Sequence, residues 1–222
     1  MTVQHHLDDA TLMRFASGDL DEAFSVIVAS HLVLCKACRH GVRKAENIGG
    51  GLLESVDQVP LRAEAIDDVL ALIDNDKVCD QTPQQPVKMP ITHESDVPEP
   101  LQHFIGPSLD QIAWKTVAPG IAKHMINLQS PARSSLYMLR IAAGKAVPEH
   151  GHGGNEMTLV LSGAYRDDMG IFGPGDIEDL DEHIEHQPKV LPDAACICLV
   201  ATEAPTRFKG FFSRMLQPLV GI

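Results

Sequence analysis

The sequence of 222 residues predicts an α+β protein in two domains, a small helical bundle followed by a β-barrel or sandwich. Three observations carry this. Through roughly the first eighty residues the apolar side chains recur at helical spacing. Residues 79–100 then hold five prolines among mostly polar residues, the composition of an extended linker. Beyond residue 101 the rhythm shortens to apolar runs punctuated by glycine, the pattern of many short strands and turns. The expected division is a helical domain at 1–82, a Pro-rich linker at 83–100 and a strand domain at 101–222.

Each element has its own signal. Asp8 or Asp9 can cap a short helix through Leu12, Met13, Phe15 and Ala16, and Gly18 ends it. Asp19-x-x-Glu22 resembles a capping box that opens a second helix. On that helix Phe24, Ile27, His31, Leu34, Cys35 and Cys38 continue one stripe. Gly49-Gly50-Gly51 is expected to break the helical pattern, and Pro60 to precede an amphipathic helix with Ile66, Val69, Leu70 and Ile73 on one face. In the second half, 114–117, 121–128, 135–141 and 196–201 read as strands.

Composition narrows the function. The net charge is -12, and residues 1–80 carry 14 Asp and Glu against 7 Lys and Arg. With no basic patch to neutralise phosphates, direct nucleic-acid binding is not expected. From charge alone the acidic helical domain reads first as a solvated surface, and otherwise as one that suits a basic protein partner. Residues 2–9 are too polar for a secretory core, and no apolar run approaches the ~18 residues of a membrane span. The five cysteines, Cys35, Cys38, Cys79, Cys196 and Cys198, are odd in number and include a CxxC. Together these features point to a reducing, cytoplasmic setting.

Two constellations carry ligand chemistry. His31-x3-Cys35-x2-Cys38 places three ligands on one side of a helix or helix-turn. The soft thiolates and imidazole suit a closed structural zinc site, and a fourth ligand can come from His5 or His6. Such a staple would serve a bundle with too little core of its own. The second set is His150-x-His152-x3-Glu156, with His183 and His186 downstream. Alternation sets His150 and His152 on one face of a strand. Three imidazoles and a carboxylate can hold a divalent metal and keep a position open. Cys196 and Cys198 share a strand face, either as small buried hydrophobes or as thiols that oxidants modify. Glu149, His93, His103 and His124 have no spacing partners, and Tyr137, Arg140, Tyr165 and Arg166 read as packing or surface.

The first motif, with its upstream histidine, resembles the zinc-binding anti-sigma factors, and His6 fits the upstream ligand best, ahead of His5. Gly144-x5-His150-x-His152-x3-Glu156-x6-Gly163 resembles the first cupin motif, and Gly173-Pro174-Gly175-Asp176 the turn of the second. His186 is favoured over His183 as its histidine, because Pro188 suits an edge beside the barrel mouth. The order of the two domains is similar to that of the ChrR-type anti-sigma factors. That resemblance implies a non-enzyme that sequesters an extracytoplasmic-function (group IV) sigma factor one-to-one through its N-terminal zinc domain. It also implies a cupin domain that responds to singlet oxygen or organic hydroperoxides. The expected ligands are His6, His31, Cys35 and Cys38 for zinc, and His150, His152, Glu156 and His186 for zinc or another divalent metal. The alternatives are a metal-dependent cupin enzyme, such as a dioxygenase or isomerase, with a regulatory N-terminal domain, and a zinc-stapled adaptor with a purely structural cupin.

Overall fold

The computed structural model describes residues 2–75, 95–128, 134–205 and 207–208; Cys79, His93 and most of the expected linker lie outside them. Five helices precede a strand-rich region. Helix α1 (Asp9–Ala16) is capped by Asp8, whose carboxylate accepts from the Thr11 amide at 2.6 Å. Gly18, at φ 73°, turns the chain out. Helix α2 (Glu22–Leu34) is capped by Asp21, which accepts from the Ala23 amide at 3.0 Å. The expected cap, Asp19, instead pairs with Arg14 at 3.3 Å. Both carboxylates lie in the same turn, and only Asp21 immediately precedes the first helical residue.

Cys35 adopts an extended conformation, φ -106° and ψ 110°, and separates α2 from α3 (Lys36–Glu54). The motif therefore spans a helix junction. Helix α3 passes through Gly49, Gly50 and Gly51, where a break was expected. Each glycine costs a helix about 0.5–1 kcal/mol, which the flanking Ala, Glu and Leu helix formers offset. Helix α4 (Ala65–Asn75) follows Pro60. Helix α5 (Glu99–Ile105) starts inside the expected linker, with Leu101 fully buried.

The strands, all antiparallel pairs, form three sheets. The largest has the order β1 (Lys115–Ala118), β2 (Ile121–Ile126), β3 (Ser135–Ile141), β11 (Cys196–Thr202), β5 (Glu156–Ser162), β8 (Ile177–Leu180). A second joins β10 (Lys189–Val190), β6 (Tyr165–Arg166) and β7 (Ile171–Phe172). A third joins β12 (Arg207–Phe208), β4 (His150–Gly151) and β9 (Glu185–His186).

Alternation along β3 and β11 builds two cores. Tyr137, Cys196, Cys198 and Val200 face the barrel interior with Val160, Tyr165 and Phe172. Leu136, Met138, Leu199 and Ala201 face the other way and pack with Leu12, Phe24, Ile27 and Val28 of the N-terminal helices. The described residues form two compact units: those up to Gly49 with those from Ser95 onward, and those from Gly50 to the end of α4. The first helices thus share a core with the barrel, whereas the sequence suggested that 1–82 would stand apart.

Candidate metal centres

The N-terminal cluster forms where the segment before α1 meets the α2–α3 junction. His6 Nδ1 lies 3.2 Å from Cys35 Sγ and 3.8 Å from Cys38 Sγ. His31 Nε2 lies 3.3 Å from Cys38 Sγ. One ligand atom from each of His6, His31, Cys35 and Cys38 falls within 4.8 Å of all the others. His31, Cys35 and Cys38 are buried. Burial lowers the His31 pKa to about 4, so its ring is neutral and available as a ligand. Burial also pushes the Cys38 thiol up to about 11, a cost that a dication reverses by binding the thiolate. The donor set fits zinc in its closed, four-ligand form. His5 is not in the cluster: its Nε2–H donates to the Ile171 carbonyl at 3.0 Å, and its ring stacks on Phe172.

The second cluster is assembled by strand pairing. β4 pairs with β9 so that His150 stands directly opposite His186, and Glu156 opens β5. His150, His152, Glu156 and His186 bring ligand atoms within 4.8 Å of one another, all buried. His183 is on the surface, 3.8 Å from Glu182. Nδ1–H of His150 donates to the Pro148 carbonyl at 2.8 Å, and Nδ1–H of His186 to Asp167 at 3.2 Å. In the neutral rings those partners leave the lone pairs on the two Nε2 atoms, which lie 3.1 Å apart. That pair suits a shared metal ion, and in the metal-free chain a proton held on His186 bridges it. Neither ring nitrogen of His152 has a hydrogen bond, although Nδ1 is 3.3 Å from Glu156. Orphaned buried nitrogens beside a carboxylate fit a divalent metal.

Behind His186 stands a layer that the sequence reading missed. Asp167 lies 3.2 Å and Glu178 3.6 Å from its Nδ1, and the Tyr165 hydroxyl donates to Glu178 at 2.7 Å. Burial raises the Glu178 carboxyl. Burial alone would also raise Asp167, but hydrogen bonds from Glu178, the Met169 amide and His186 outweigh it and hold Asp167 low. Burial would lower His186, but Glu178, Asp167 and Glu156 outweigh it and raise its pKa. Such outer carboxylates fix the orientation and basicity of a metal-binding imidazole. Lys123, also missed, is buried with its ammonium 3.9 Å over the Tyr137 ring. Burial lowers its pKa to about 8, with Glu156 opposing.

A small cavity of about 60 Å³, with walls including Ile141, Val147, Cys198 and Val200, opens onto His150, Glu156 and His186. The Cys196 and Cys198 sulfurs are 3.5 Å apart and buried, both thiols free. The contact with Cys196 and burial raise the Cys198 thiol well above its usual value, which suppresses the reactive thiolate. Glu149, His103, Arg140 and Arg166 are exposed, and His124 is half-buried on the Ala113 carbonyl.

Residues 104–205 match the family described as ChrR Cupin-like domain. The chain is 39% identical over 224 residues to the Anti-sigma-E factor ChrR of Cereibacter sphaeroides, covering 100% of both chains. It superposes on the crystal structure of Rhodobacter sphaeroides SigE in complex with the anti-sigma ChrR with a TM-score of 0.74 and 36% identity, over 90% of this chain and 99% of that one. KdgF from Halomonas sp. covers 45% of this chain at 23% identity and a TM-score of 0.36. On its identity over the full length of that relative, the chain belongs to the ChrR family of anti-sigma factors.

Proposed function

We propose that this chain is a cytoplasmic anti-sigma factor that binds an extracytoplasmic-function sigma factor one-to-one and keeps it inactive. In this reading residues 1–82 carry the binding, with zinc on His6, His31, Cys35 and Cys38. The cupin at 101–222 holds zinc or another divalent metal on His150, His152, Glu156 and His186. It senses singlet oxygen or organic hydroperoxide and promotes release. The observation that carries the proposal is the apolar surface in and beside α4. Leu52, Leu53, Val56, Val59, Leu61, Ile66, Val69, Leu70, Leu72 and Ile73 are all exposed, by 53% to 82%. Apolar side chains exposed in such number mark a surface that a partner covers. A relative matched over its whole length is an anti-sigma factor, and its structural counterpart was solved bound to SigE. Among the described residues no helix is long and apolar enough to cross a membrane, and a thiolate zinc site suits a reducing compartment.

The test is co-expression of the full chain with a sigma factor of this class, followed by purification and metal analysis. A stable one-to-one complex carrying zinc is expected. Cys35→Ser with Cys38→Ser should lose the complex, and retention of full inhibition by that variant would sink the structural role of the metal. Replacing His150 and Glu156 should leave inhibition in place and blunt release by oxidant.

A further inference from the structure

The turn at residues 173–176 lies in the cupin, yet its polar groups face the N-terminal cluster. The Asp176 carboxylate is buried. Its Oδ1 accepts from the Gln4 amide at 2.6 Å and the His5 amide at 3.0 Å, while Oδ2 accepts from the Gly173 amide at 2.9 Å. One carboxylate thus holds the two residues immediately before His6. The preceding carbonyl, of Gly175, accepts from Nδ1–H of His31 at 3.0 Å, a contact buried on both sides. That bond fixes the ring as the tautomer whose lone pair is on Nε2, the nitrogen beside Cys38. His5 completes the attachment through Ile171 and Phe172.

We infer that the cupin turn at 173–176 is a working part of the N-terminal metal centre, with Gly175 orienting His31 and Asp176 presenting His6. The inference rests on reading that cluster as a metal site. Gly175 and Asp176 are positioning residues: they act through the two histidines. The local sequence supports this arrangement. Gly175 has φ +91°, which strains any residue with a Cβ, and a Cβ there would press on Val3 Cγ2 at 3.0 Å, so glycine favours the turn that carries its carbonyl to His31. Two residues beyond Asp176, Glu178 backs His186 of the other cluster. The histidines of the N-terminal centre are thereby supported by the turn that leads into β8, the strand whose Glu178 backs the cupin ligand His186.

The experiment uses the full-length protein loaded with cobalt(II). Thiolate-to-cobalt charge-transfer absorption arises only from a centre with cysteine ligands, so it reports the N-terminal site apart from the cupin. Its decay under excess chelator gives the release rate. Asp176→Ala is expected to release cobalt about 10–100-fold faster, the usual effect of losing an outer partner of a ligand. Asp176→Asn, which keeps one oxygen for the Gln4 and His5 amides, should recover most of the retention. Gly175→Ala should also release faster. Gly144→Ala imposes a similar left-handed strain at φ +70° with nothing within 4 Å of the new Cβ, and should behave as wild type. Wild-type release from Asp176→Ala, or equally fast release from Gly144→Ala and Gly175→Ala, overturns the inference. Absence of the thiolate band in the wild type would overturn the metal-site reading and the inference with it.

Discussion

His186 shows how much of a candidate metal site lies outside its ligands. Asp167 and Glu178 reach its Nδ1 from different elements, and Tyr165 stands behind Glu178. Asp167→Ala or Glu178→Ala should therefore weaken metal binding at the cupin by about 10–100-fold, measured by chelator competition. The N-terminal thiolate centre in the same molecule is the internal reference, and an equal loss at both centres would indicate general unfolding instead. A second prediction concerns acid. Burial lowers the His150 pKa from 6.5 to about 4. In the metal-free chain this contributes stability that is fully present above pH 6.5 and is lost as pH falls through 4. At about 1.4 kcal/mol per unit the loss reaches about 3 kcal/mol. His186 has the opposite sign, since its raised pKa contributes stability that is lost as pH rises. Comparison of the metal-free wild type with His150→Gln isolates the first effect. Denaturant unfolding should show a steeper loss between pH 6.5 and 4 in the wild type, and equal slopes would count against a buried neutral His150.

At the scale of elements, what could be read in advance depended on how local the cause was. The largely apolar runs 135–141 and 196–201 gave β3 and β11 nearly to the residue, because each is long enough to read as a strand from its own composition. The ligand spacings were equally local. The strands of two residues, among them β4, β6, β7, β9 and β10, have no period to detect. They are also the strands that bring His186 opposite His150 and set Tyr165 beside Glu178. Likewise, no spacing rule connects His31 to Gly175, 144 residues apart. The glycines of α3 were misread for another reason. They weaken a helix, but nothing in their surroundings breaks it. A Cβ at Gly49, Gly50 or Gly51 meets nothing within 4 Å, and none has a left-handed φ. Replacing all three by alanine should stabilise the end of α3 by about 0.5–1 kcal/mol per site. Amide exchange at residues 52–54 should slow about ten- to hundredfold, and unchanged exchange would mean that this end of the helix is not limited by glycine.

At the scale of the whole molecule, charge and apolar surface make separable contributions to holding a sigma factor. The chain carries a net charge of -12, which raises the encounter rate with a basic partner and is screened by salt over about 8–10 Å. On the proposed binding surface, the exposed apolar residues of α4, Ile66, Val69, Leu70 and Ile73, would act at contact range, and burying them would govern how long a complex lasts. Binding kinetics of the full chain with its sigma factor should therefore divide cleanly. Raising ionic strength should slow association and leave dissociation nearly unchanged. Val69→Asp with Leu70→Asp should speed dissociation by at least about a hundredfold, since each substitution forfeits about 1.5–3 kcal/mol of apolar burial. Both residues are already in water in the free chain, so its helix content and metal should stay at wild-type levels. A double variant that dissociates at the wild-type rate would move the binding surface away from α4.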